Sequence, residues 1–178
     1  MLIAHHSIDG SQASLPASMA GLLEVAVKDA RKLDRSIYLP YYNDWHDADS
    51  SHNLCLVCLA GSVIAGSLEI APSDTVSSMT FDRRTEELLD AIDYMRCGLW
   101  HKAFELIYHR TPSLQVLDNL QALSEPSFST FDSWEDFDVH LDSLESMLPQ
   151  LQSIDRAVAR LVKSSLSSSG SPLPASQQ

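Results

Sequence analysis

Between Phe81 and Tyr108 the chain reads FDRRTEELLDAIDYMRCGLWHKAFELIY, and its apolar residues recur at helical intervals on both sides of one glycine. Leu88, Leu89, Ile92 and Met95 share one face of a first helix, and Leu99, Trp100, Ala103, Phe104 and Ile107 repeat the pattern after Gly98. Glycine suits the stop because it enters the left-handed region without the strain a Cβ brings. Two helices joined so tightly must fold back or turn sharply on each other. A chain built around such a pair buries helix faces, which sets its class as helical.

The flanking segments read the same way. Ser14, with Pro16 just inside, predicts a helix to about Lys32 that buries Met19, Leu22, Leu23, Ala26 and Ala30. Thr111 before Pro112 marks the start of a weaker helix over Leu114–Leu123. Ser133 and Asp136 form a capping box ahead of a seam of Trp134, Phe137, Leu141, Leu144 and Leu148. Pro149 separates that helix from a last one, in which Leu151, Ile154, Val158 and Leu161 face inward. Strand signals are few: LIAHH near the start, and Ile37–Leu39 broken by Pro40. The expectation is an all-α, mainly helical single domain over residues 1–166, with one small β-hairpin in the N-terminal third. Residues 167–178, rich in Ser, Pro and Gln, read as a disordered tail.

The tract HNLCLVCLAGSVIAGSL, His52–Leu68, spaces His52, Cys55 and Cys58 three residues apart. With His46, these are nitrogen and sulfur ligands of the kind zinc takes tetrahedrally. They also permit a nucleophilic Cys55 near a helix N-terminus, with His46, His101 or His109 as base. Structural zinc sites, however, draw a second ligand pair from another element, and the residues around the cysteines read as packing. The preferred expectation is a central buried helix with inert thiols. No catalytic residue, cofactor or metal is assigned, and an enzyme centred on Cys55, Cys58, His46 and His52 remains the alternative. The run DWHDADSSHNLCLVCLAGSVIAG resembles a segment of small accessory proteins of tailed bacteriophages and prophages. That resemblance implies a phage origin, where short acidic proteins act on host machinery.

Charge is the other strong signal. Twelve cations against 24 acids give a formal net charge of -12, which repels phosphate backbones and anionic lipid surfaces. The longest uncharged run falls short of the roughly 20 residues a spanning helix needs, and the N-terminus lacks the basic start of a signal peptide. Three cysteines, two of them in an apolar run, suggest a reducing cytoplasm, here that of a bacterial host. From Thr111 to Asp155 there is no Lys or Arg but nine acids. Glu135, Asp138, Asp142 and Glu145 are spaced three and four apart, so they line one ridge of a helix. These four are the expected protein-binding residues. The partner they imply is a host protein with a basic, nucleic-acid-binding surface, inhibited as by an anti-CRISPR or other anti-defence protein. Direct binding to nucleic acid or membrane is not expected. A homodimer or oligomeric assembly factor that buries the Trp134 seam against a second copy is the remaining alternative.

Overall fold

A computed structural model describes residues 2–6, 12–40, 46–48, 54–69, 81–126 and 133–168. Along the chain these form β1 (Leu2–His6), β2 (Gln12–Pro16), α1 (Met19–Lys32), β3 (Tyr38–Pro40), β4 (His46–Ala48) and β5 (Leu54–Val57). Then follow α2 (Leu59–Ala65), α3 (Arg83–Arg96), α4 (Trp100–Tyr108), α5 (Leu114–Gln121), α6 (Trp134–Glu145) and α7 (Leu148–Ser168). The domain is mainly helical. Residues 41–45 and 70–80, and the expected tail beyond Ser168, lie outside the described residues.

Helices α1, α3, α5 and α6 begin where short polar side chains can take the first unsatisfied amides, whereas α4 starts after Leu99 with no side-chain cap. Asp82 accepts from the amides of Arg84 and Thr85 at the start of α3. Ser113 does the same for Val116 on α5, one residue inside the predicted Thr111–Pro112 start, because the proline itself lies outside the helix. Ser133 accepts from the Asp136 amide, so the predicted cap is made, while the Asp136 carboxylate accepts from the Ser133 hydroxyl rather than from its backbone N–H. Gly98 takes φ 73 between α3 and α4, and these two helices pack closely together. Pro149 is not a separator. It sits in the first turn of α7, where its missing N–H has no intrahelical partner to lose.

Two β-sheets occupy the N-terminal third. β1 and β2 form the expected antiparallel hairpin, pairing Leu2 with Pro16 and His6 with Gln12. The predicted cap at Ser14 is therefore wrong: Ser14 and Pro16 belong to β2, and α1 starts at Ser18, whose hydroxyl accepts from the Gly21 amide at 3.3 Å. The second sheet was not expected. β5 runs between β3, to which it is parallel, and β4, to which it is antiparallel. This overturns a single central helix over His52–Leu68, since Leu54–Val57 is strand and only Leu59–Ala65 is helix. A short apolar run fits a buried strand and a buried helix equally well, so its periodicity could not separate them.

The helix at the centre of the molecule is α1. Leu22, Leu23 and Ala26 are fully buried, and the helix packs against α2, α3, α6 and α7. Phe104 from α4, Phe137 and Leu141 from α6, and Leu151 and Ile154 from α7 complete the core. Phe137, Leu141 and Leu144, the seam offered above to a second copy, are consumed inside their own chain.

Candidate functional site

The ridge of α6 faces the end of α1. Arg31, in the last turn of α1, donates through Nη2 to Asp142 at 2.6 Å and to Glu145 at 2.8 Å. Arg35, three residues past the helix, donates to both oxygens of Asp138 at 2.8 and 3.0 Å. Its guanidinium also lies 4.7 Å from the Trp134 ring centroid, and Trp134 meets Phe137 edge-on at 5.7 Å. The pairing runs in opposite directions along the two segments. Hydrogen bonds first to Asp142 and then to Glu145 raise the Arg31 pKa further above its ordinary value. Glu135 is exposed and forms no ion pair among the described residues. Four carboxylates against two guanidinium groups leave the cluster two negative charges in excess.

The ridge residues thus share one face, as their spacing predicted, but three of the four hold internal partners. Sequence reasoning missed Arg31 and Arg35. The available signal was their spacing of four residues, which matches that of Asp138 and Asp142 on the facing helix. The pairs are not shut away, since the Asp142 side chain is 72% exposed.

The remaining acids of the segment divide by task. Asp155, on α7, accepts from the Met19 amide at 3.1 Å and the Ala20 amide at 3.0 Å, and Tyr108 donates its hydroxyl to the same carboxylate. With Gly21 donating to Ser18 Oγ and Leu22 to Ser18 O, every one of the first four amides of α1 is satisfied. Asp136 accepts from the hydroxyl of its own helix cap, Ser133. Asp118 and Glu125 are exposed and, like Glu135, form no ion pair among the described residues. Asp132 lies outside those residues.

The cysteine tract looks structural where it can be described. Cys58 is buried, caps α2 and accepts from the Gly61 amide at 3.3 Å through its sulfur. Burial, with a lesser contribution from Asp93, pushes its thiol up to about 11, the opposite of what a nucleophile requires. His109 ends α4 in the left-handed region at φ 51, with its Nε2 2.7 Å from Glu87 Oε2. Arg84 lies beside both and donates to the last carbonyls of α4 at Leu106 and Ile107. That cluster closes a helix end. The side chains of His46, His52 and Cys55 lie outside the described residues. Among the described residues no three His, Cys, Asp or Glu side chains converge to hold a metal, and no helix is long and apolar enough to cross a membrane.

Comparison with family models, with curated proteins and with solved structures returns no match. The arrangement of the side chains is therefore the ground for any functional statement. What the α6 face can do chemically is accept hydrogen bonds from cations: it presents a row of carboxylates, three of which Arg31 and Arg35 hold.

Proposed function

We propose that this chain is an acidic binding protein that docks on, and inhibits, a host protein with a basic nucleic-acid-handling surface, in the manner of an anti-defence inhibitor of phage origin acting in the bacterial cytoplasm. The observation that carries this reading is the row Glu135, Asp138, Asp142 and Glu145, of which the last three are held by Arg31 and Arg35. Holding side chains before binding lowers the entropy lost on docking. Exposed ion pairs are individually weak, about 0.2–1 kcal/mol, so a partner rich in Arg and Lys can share or replace the internal guanidinium groups. An acidic face also speeds encounter with a basic one.

The experiment is to isolate the host partner, show that it binds nucleic acid, and measure competition between labelled duplex and this chain. Glu135→Lys is the cleanest probe because it breaks no described ion pair; Asp138→Asn, Asp142→Asn and Glu145→Gln remove charge without adding repulsion against α1. The expected result is stepwise loss of competition across the four variants, with Cys55→Ala unchanged. If the four variants compete as the wild type does, the reading fails. If Cys55→Ala alone abolishes the activity, the cysteine enzyme takes its place.

A further inference from the structure

Between α4 and α5 lies a cavity of about 410 Å³, in the size range of small-molecule sites, walled by Trp100, Leu117, Leu120 and Leu123. Trp100, Leu120 and Leu123 are buried, so the wall is apolar, while His101 and Glu125 line it from exposed positions. Gly98 shapes one end. At φ 73 it turns the chain into α4, and a Cβ there would stand 3.0 Å from Pro126 Cδ and 3.8 Å from Glu125 Cα. That close approach brings Glu125 to the start of α4.

Both donors and an acceptor stand open among the lining residues. Trp100 is 4% exposed, yet its Nε1–H has no acceptor. A buried donor left unpaired is rare in folded proteins and marks a place where a partner belongs. Independently, α4 has no side-chain cap, and the amides of Trp100 and His101 have no partner among the described residues. A helix start of this kind favours negative charge. Glu125 makes no hydrogen bond or ion pair among the described residues, which leaves its carboxylate open as an acceptor.

We propose that this cavity binds a free α-amino acid with an apolar side chain. Its carboxylate is held by the donors of Trp100 and His101, its ammonium by Glu125, and its side chain by the leucine wall. The open groups select this chemistry. The donors suit an anion, but a simple anion would meet Glu125 and a chain of net charge -12. A simple cation would satisfy Glu125 and leave the donors unpaired. A zwitterion carries both charges on adjacent groups and is neutral overall, so the field of the chain does not repel it. The buried leucines then favour an apolar substituent over a polar one.

Titration of the full chain with L-leucine, followed by proton–nitrogen NMR, tests this. The Trp100 indole N–H is identified as the signal lost in Trp100→Phe. The expected result is a saturable shift of that signal and of the His101 amide, with a midpoint below roughly 1 mM. N-acetyl-L-leucine and L-leucinamide each lack one of the two charges, and each should bind at least about tenfold more weakly. Glu125→Gln, at an exposed position, should weaken L-leucine to a similar extent, and an unchanged melting temperature checks that its fold is intact. No saturable shift up to about 10 mM overturns the proposal, as does undiminished affinity in Glu125→Gln. Equal or tighter binding of N-acetyl-L-leucine overturns it in favour of a plain carboxylate, and equal or tighter binding of L-leucinamide in favour of a plain amine.

Discussion

At Asp155 one carboxylate meets three donors: the amides of Met19 and Ala20 and the hydroxyl of Tyr108. Asp155→Ala leaves the Ala20 amide and the Tyr108 hydroxyl without their acceptor and the Met19 amide with only its 3.4 Å bond to the Tyr108 oxygen, and a loss of about 2–4 kcal/mol in urea unfolding is expected from the missing cap and the unsatisfied groups. Asp155→Asn, which keeps one oxygen, should lose less. The same contact makes a prediction about pH. Burial first, and then the neighbouring Asp155 charge, hold the Tyr108 phenol above its ordinary 10.0. Its contribution is complete below that value and declines above it, because the unfolded chain ionises there while the native chain does not. Stability should therefore fall more gently between pH about 10 and 12 in Tyr108→Phe than in the wild type, as read by unfolding midpoints across that range. Cys58 supplies a third check: with its thiol at about 11 and buried, it should resist alkylation at pH 8 until the protein unfolds. Mass mapping of the modified cysteines reads this directly.

Among the elements, α2 and α1 are joined through a close approach. Asp29 accepts from the Ser67 amide at 2.9 Å and its hydroxyl at 2.6 Å, and a Cβ on Gly66 would stand 2.6 Å from the Asp29 carboxyl carbon. Gly66→Ala must displace Asp29 and strain both bonds. A thermal-unfolding loss of about 1–3 kcal/mol is expected. The helices with strong period and clear punctuation, α3, α4 and α6, were legible in the sequence down to the Ser133 cap. Others were not, for physical reasons. Ser14 and Ser18 offer the same capping chemistry, and only the pairing of Ser14 with Ala4 in the hairpin decides between them. Leu54–Val57 is apolar throughout, so alternation could not mark it as strand, and its neighbours β3 and β4 have only three residues each.

On the scale of the whole molecule, the acidic ridge shows what a linear reading leaves out. The spacing of Glu135, Asp138, Asp142 and Glu145 was legible, but Arg31 lies 111 residues before Asp142 and nothing local announces the contact. The net charge of -12 has its own consequence, since self-repulsion opposes the compact state. Raising NaCl from about 0.02 to 0.5 M should therefore raise the melting temperature, by about 2–4 °C for each kcal/mol of repulsion screened. A lower midpoint in high salt would mean that ion pairs such as Arg31 with Asp142 outweigh the repulsion. The position of Asp155 also sets an order of events during synthesis. The acceptor that completes the start of α1 is added 136 residues after Met19, a wait of roughly 7–27 s at bacterial and eukaryotic elongation rates alike. The Tyr108 hydroxyl can meet the Met19 amide earlier, but the Ala20 amide has no other acceptor among the described contacts and is closed only when the last helix arrives.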